Sequence, residues 1–279
     1  EPGPLPIEPA PTVRVELGSE TVMQPGRDTW HEVSFEREIE NAVVVMGPLE
    51  HLGSHDAVVR VRDVTSTGFE FQIEEWDYLD GWHTTETVGW MAVEAGTHAL
   101  ASGQVISAGS VTSNTDYDAP VQVALEGFDA APSVFAQVAS HAGGQTVTTR
   151  LRDIEADGFE VLLQEQEASD DWHRPERVDW IALDEGVDGL IDLSDVPGGL
   201  SGRYETVGFD PVDDVPVALA AMQTMRGGDT ASLRFRDLDA DSIGLRVAEE
   251  QSRDAERGHV TEDVALLVST EGSHDLLLA

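Results

Sequence analysis

The sequence contains no cysteine and no lysine. Without cysteine there are no disulfides, no thiolate nucleophiles and no thiolate-ligated metals. Without lysine, arginine supplies all 16 basic side chains against 54 Asp and Glu, and the net charge is −38. No basic patch is left to neutralise phosphates, so no nucleic-acid partner is expected, and an anionic membrane surface is disfavoured for the same reason. No apolar run approaches the roughly 20 residues that cross a bilayer, so no membrane insertion is expected. Long stretches of helical periodicity with capping signals are also missing. So are the nucleophile elbow, the phosphate-binding glycine loop and the His-Glu-x-x-His zinc motif, and the chain reads as non-enzymatic.

The acidic excess itself is informative. So many like charges repel one another in dilute buffer and are screened in salt, which predicts a halophilic or marine setting. A codon bias toward Arg, Asp and Ala is the alternative source. The chain opens on Glu1 rather than Met, which predicts a piece of a longer protein, secreted or at a cell surface. Its first residues, 1–12, are proline-rich and read as an extended linker.

The dominant pattern is a repeat. Arg60-Val-Arg-Asp-Val-Thr-Ser-Thr-Gly-Phe returns as Arg150-Leu-Arg-Asp-Ile-Glu-Ala-Asp-Gly-Phe, and in weaker form from Arg234-Phe-Arg-Asp. A spacing near 90 residues suits a small domain, not a solenoid unit. Short β-branched or alternating runs, among them Ala42–Met46, Ala57–Arg62, Phe69–Glu75 and Val88–Val93, are bounded by Gly, Pro, Asp and Ser. Thr67-Gly68 and Asp157-Gly158 mark hairpin turns. These signals predict an all-β fold of three tandem antiparallel β-sandwich modules with about six strands each. The expected modules are 13–100, 101–190 and a divergent third, 191–279, with Gly96–Leu100, Gly186–Leu190 and Gly272–Leu276 closing them in parallel fashion.

In the first repeat, Arg60, Gly68-Phe69, Trp76 and Trp90-Met-Ala92 follow a pattern that resembles the H-type lectin module. The resemblance implies a six-stranded antiparallel sandwich, assembly in threes, and a galactose-type sugar bound near the seams. Three linked repeats would then pack as one pseudo-threefold trimer within a single chain. The family's sugar pocket uses an Arg, a Trp-His pair and an early-loop Asp. Trp76 matches the Trp and Asp28 would be the Asp. Asp77 stands where the His would follow, and the Arg position falls near Asp56. Gln166 and Glu250 replace Trp76 in the other repeats, so the platform is implied for the first repeat alone.

The stretch Trp76-Asp-Tyr-Leu-Asp-Gly-Trp-His83 concentrates aromatic and acidic side chains in a chain that is only 6% aromatic. Flat rings meet the C–H faces of sugars and carboxylates meet their hydroxyls. Trp76, Asp77, Tyr78, Asp80, Trp82 and His83, with Asp28 and the second-repeat Trp172 and His173, are therefore the candidate glycan contacts. The other reading is that these aromatics cap a sandwich or fill a seam. Trp90 and Trp180 sit in alternating strands and read as core. The Arg60/Arg62, Arg150/Arg152 and Arg234/Arg236 pairs read as ion pairs between modules. His51 and His55 are four residues apart in an expected loop, weak grounds for a metal. No cofactor is assigned from the sequence. Calcium stays open at Asp77, Asp80 and the Gly81 carbonyl, or at Asp184, Glu185 and Asp188, although no EF-hand spacing occurs. The expected function is glycan binding or adhesion within a larger protein, with a structural or trimerising spacer lacking any ligand as the alternative.

Overall fold

Strands that are apolar at every position can only sit between two cores. Such strands organise this molecule, whose computed structural model describes residues 10–115, 117–187 and 192–279. In the first module, β1 (Thr12–Gln24), β3 (Ala42–Glu50) and β6 (His83–Glu94) form an inner sheet in the order β3-β6-β1. Over it lies an outer sheet of β2 (His31–Ser34), β5 (Gly68–Glu75) and β4 (Ala57–Thr65). The second module repeats this with inner β8 (Val105–Ser113), β10 (Ser133–Val138) and β13 (Glu176–Leu183), and outer β9 (Val121–Ala124), β11 (Val147–Glu155) and β12 (Gly158–Glu165). The third has inner β14 (Asp192–Asp195), β16 (Val217–Met222) and β19 (Val264–Ser269), and outer β15 (Glu205–Gly208), β17 (Ala231–Arg236) and β18 (Ser242–Glu249). Each module is thus a sandwich of six antiparallel strands, as expected. Among the described residues no helix is long and apolar enough to cross a membrane.

The period-2 alternation of the inner strands assigns one face to each core. In β6, Val88, Trp90 and Ala92 fill the module's own sandwich while Met91 and Val93 point the other way. β13 does the same with Val178, Trp180 and Ala182 against Ile181 and Leu183. The second set of faces meets in one shared core that also takes Val43, Val45, Phe135, Val217, Leu219 and Leu267. Each fully buried side chain of this kind contributes about 1.5–3 kcal/mol. The three modules therefore pack around a common pseudo-threefold axis. A cavity of about 100 Å³ is lined by strands of all three, including Met46, Phe135 and Met222. It is well short of the roughly 300 Å³ at which ligand pockets begin.

Two local devices repeat with the sequence. The Asp after each Arg-x-Arg, at 63, 153 and 237, has φ of 49°, 51° and 50°, a left-handed conformation Asp tolerates. At Asp63 and Asp153 it sits where the strand pairing shifts register, a bulge that ends the regular ladder. Gly18 lies opposite Trp90 and Gly109 opposite Trp180, and a Cβ at either glycine would come within 2.5 Å and 2.7 Å of the indole. Trp90 and Trp180 are buried core, as the alternation predicts.

The closing segments depart from expectation. Gly96–Ala99 (β7) pairs with β8, so the end of the first module adds a fourth strand to the second. Gly272–Leu277 (β20) pairs antiparallel with β1, so the end of the chain adds a strand to its beginning. The segments thus bridge to a neighbour's sheet instead of sealing their own module. The corresponding call at Gly186–Leu190 lies largely outside the described residues, as does most of the proline-rich 1–12 segment, though Thr12 already opens β1.

Candidate functional site

The strongest chemistry in the molecule lies at the three seams. Arg60, Arg150 and Arg234, one per module on β4, β11 and β17, are among the largest fully buried side chains. Each crosses into the next module in cyclic order. Arg60 Nη1 lies 3.3 Å from Glu176, Arg150 Nη2 lies 3.0 Å from Glu262, and Arg234 pairs with Glu86. Each guanidinium also donates to loop carbonyls of that module, as Arg60 does to Ser140 and Gln145, and Arg234 to Glu50 and His55. A buried guanidinium has five N–H groups to satisfy. The neighbouring loop supplies acceptors for the Nη groups, and Arg60 Nε donates to Glu74 of its own module. The Nε atoms of Arg150 and Arg234 are left without a hydrogen-bond partner among the described residues.

The acceptor glutamates have a common setting. Glu86, Glu176 and Glu262 each follow a buried histidine by three residues. The Nε2 atoms of His83, His173 and His259 lie 3.0, 3.1 and 3.2 Å from those carboxylates. Their Nδ1 atoms lie 3.0, 3.1 and 3.2 Å from Glu75, Glu165 and Glu249. Every seam therefore carries a Glu–His–Glu–Arg chain shielded from solvent. Burial opposes the charge on Glu176, but hydrogen bonds from His173, Ser140 and the Gly143 and Ala142 N–H groups outweigh it and hold its pKa at about 2. Glu262 is likewise held at about 2 against burial, by His259, the Gly227 and Arg226 N–H groups and Thr224. Glu86 is lowered and His83 raised; burial opposes both charged forms and is outweighed by their mutual pairing, helped by Arg234 and the Gly53 N–H at Glu86 and by Glu75 at His83. Arg60, Arg150 and Arg234 form intermodule ion pairs, as expected, but the arginines two residues on do not. Arg62 and Arg152 pair with Glu70 and Glu160 inside their own hairpins, and Arg236 with the adjacent Asp237, because the second arginine of each pair falls at the half of the hairpin that no neighbour covers. The His-x-x-Glu half was missed, although His83-Thr-Thr-Glu86, His173-Arg-Pro-Glu176 and His259-Val-Thr-Glu262 recur even in the divergent third module.

This architecture sorts the candidate glycan contacts. Trp76 is only 1% exposed, and His83 and His173 are locked in the seams, so none of the three offers a face to a soluble sugar. For them the packing alternative describes the structure, because the neighbouring module covers that end of β5 and β12. Asp77 is half-committed: it pairs with Arg27 at 2.9 Å and approaches Thr146 of the second module. That pairing also removes Asp77 from the expected oxygen site with Asp80 and Gly81. Asp184 accepts the Val105 N–H at 2.8 Å, and Asp188 lies outside the described residues. His51 stands 2.6 Å from the Tyr204 hydroxyl and is not brought together with His55.

The exposed members are Trp82, Trp172, Tyr78, Asp80 and Asp28. Trp82 is 50% and Trp172 60% exposed, at equivalent positions in two modules. Each sits on a short turn in which an aspartate two residues earlier, Asp80 or Asp170, accepts the Trp backbone N–H. Tyr78 is 46% exposed. Burial first, then the Glu250 and Asp56 carboxylates, push its phenol up to about 12, so it remains a neutral hydroxyl.

The seam between the second and third modules holds an unneutralised acidic group. Glu167 is raised to about 7 by burial and then by the charges of Asp229, Glu250, Asp254 and Glu249. Its folded pKa lies above the unfolded value, so the charged form destabilises the fold above pH 7 and the penalty vanishes as pH falls toward 4.5. Glu167→Gln should therefore stabilise the protein by on the order of 1 kcal/mol at pH 8 after solvent screening. Thermal melts at pH 8 and pH 4.5 check this; a gain that persists at the lower pH would contradict it.

No protein-family model matches the chain, and no solved structure matches it. Among curated proteins it is similar to halomucin of Haloquadratum walsbyi, 28% identical over 263 residues that cover 88% of this chain. Those residues amount to 3% of halomucin, so the chain spans a small part of that protein's length.

Proposed function

We propose that the chain is a non-catalytic glycan-binding or adhesion region that grips its ligand through Trp82 and Trp172. The observation behind this reading is the exposure of those two indoles at equivalent places on a rigid scaffold, in a chain whose other large aromatics are mostly interior. Solvent-facing tryptophans gain little for stability and are suited to the apolar faces of sugars. Repetition on two modules adds avidity to weak single contacts. A neutral glycan fits better than an anionic polysaccharide, which a chain of net charge −38 would repel. The H-type lectin resemblance supports the class of ligand. The family's Trp position, Trp76, is interior here, so the contact surface moves to the outer turn.

A glycan array in about seawater salt, with and without calcium, tests this on the wild type beside Trp82→Ala and Trp172→Ala. A hit weakened roughly tenfold or more by either change is expected, the range of an aromatic hot spot. Trp76→Ala is unsuitable because it would open a buried cavity. A blank array with all three proteins folded would leave the second reading, a rigid spacer, which the buried ion-pair chains at every seam favour.

A further inference from the structure

Glu75 of the first module differs from its equivalents in what lies on its solvent side. In all three modules this glutamate, 75, 165 or 249, holds the seam histidine. In the second module Glu165 also takes the Ser169 hydroxyl at 2.6 Å. In the first module Leu79 occupies that serine's place and offers no donor. There His55 Nδ1 lies 2.9 Å from Glu75 Oε1, the same oxygen that His83 Nδ1 approaches at 3.0 Å. Counting back five residues from each repeat arginine, His55 corresponds to Gln145 and Asp229. The Glu–His–Glu–Arg chain therefore forms without an imidazole at this position, and His55 is an addition peculiar to the first module.

Asp80 completes the set. Ligand atoms of His55, Glu75 and Asp80 all lie within 4.8 Å of one another, and His55 and Asp80 face solvent. Asp80 Oδ1 is held by the Trp82 N–H at 3.0 Å, and Glu75 Oε2 by the Gly81 N–H at 3.1 Å, so both carboxylates are pre-oriented by the backbone. We propose that His55, Glu75 and Asp80 bind one divalent transition-metal ion, with its remaining coordination positions open to water. Metal–nitrogen and metal–oxygen bonds of about 2.0–2.2 Å put neighbouring ligand atoms about 2.9–3.5 Å apart. The 2.9 Å spacing of His55 Nδ1 and Glu75 Oε1 already fits. Asp80, whose ligand atom lies within 4.8 Å of the other two, needs to close by at most about 1.3–1.9 Å to reach that spacing, which an exposed turn allows. One imidazole and two carboxylates suit Zn²⁺, Co²⁺ or Ni²⁺ over Ca²⁺, which takes oxygen ligands in larger number.

The test is a calorimetric titration of the full chain with Zn²⁺, and with Co²⁺ followed by its visible absorption, in molar KCl with excess Mg²⁺ to occupy diffuse carboxylate sites. One equivalent is expected, weakened roughly tenfold or more in His55→Gln and in Asp80→Asn. Gln is the residue the second module carries at this position, and the backbone carbonyl of His55 that serves Arg234 is untouched, so metal-free melting of His55→Gln should match the wild type. Equal binding by wild type and His55→Gln would overturn the site, as would no saturable binding at all. Competition by Ca²⁺ at concentrations equal to Zn²⁺ would overturn the assignment to a transition metal.

Discussion

Arg150→Ala should lower the unfolding free energy by about 3–5 kcal/mol, the usual loss when one partner of a buried ion pair is removed. The substitution leaves Glu262 without its guanidinium partner in a seam closed to water, and strips donors from Gln164 and the Asp229 carbonyl. Arg152→Ala, two residues on, is the control. Its guanidinium pairs with Glu160 at a partly exposed place within one hairpin, where such pairs contribute about 0–1 kcal/mol. Urea denaturation of both variants in molar KCl separates the two sites. Similar losses would contradict the distinction between seam and surface arginines. The double change Arg150→Met with Glu262→Gln should recover part of the loss, because it removes both charges together.

Removing β20 by ending the chain at Glu271 should destabilise it by at least about 3 kcal/mol, comparable to deleting a buried leucine outright. β20 pairs with β1 from Thr12↔Leu277 to Leu17↔Gly272, places Leu276 in the shared core, and brings Asp275 to Arg14 and Arg37. Its loss also leaves β1 as a bare sheet edge, which invites pairing between molecules. Light scattering should therefore show association along with the lower melting temperature. A peptide of residues 272–279 added in trans should reverse both effects. An unchanged melt would mean that β20 is dispensable to the ring.

The parts of this fold legible in the sequence are those set by local pattern. Ala42–Met46 and Val88–Val93 read as strands because short, continuously apolar runs, valine-rich in the first and carrying Trp90 and Met91 in the second, fit a doubly buried strand. Trp90 and Trp180 read as core because each shares one strand face with apolar residues two positions away, Val88 and Ala92 or Val178 and Ala182. β8 was missed because Val105-Ile-Ser-Ala-Gly-Ser-Val-Thr-Ser113 mixes small and polar residues, and its membership depends on Trp180 lying over Gly109. The destinations of β7 and β20 were not legible, since strand pairing between modules leaves no local mark. The site shows the same division. Trp76 and Trp82 are six residues apart in one aromatic stretch, and only the neighbouring module decides that the first is covered and the second is not. Among 54 acids, Glu86, Glu176 and Glu262 stand out solely by recurring three residues after a histidine in each module.

The pairing of β1 with β20 also fixes how the molecule meets a mechanical load. Leu278 donates to the Pro11 carbonyl at 3.0 Å, so the outer ends of β1 and β20 lie side by side. Tension drawn through those ends pulls across the ladder at its open end. It separates the rungs singly from Leu277 inward, as a zipper opens, and does not shear them all at once. The β1–β20 ladder, with the bonds that tie Leu277 and Ala279 to Ala101 and Ala99, is therefore expected to yield before the sandwiches do. It releases a short length of slack at low force while the three sandwiches and their buried seams are still under little strain.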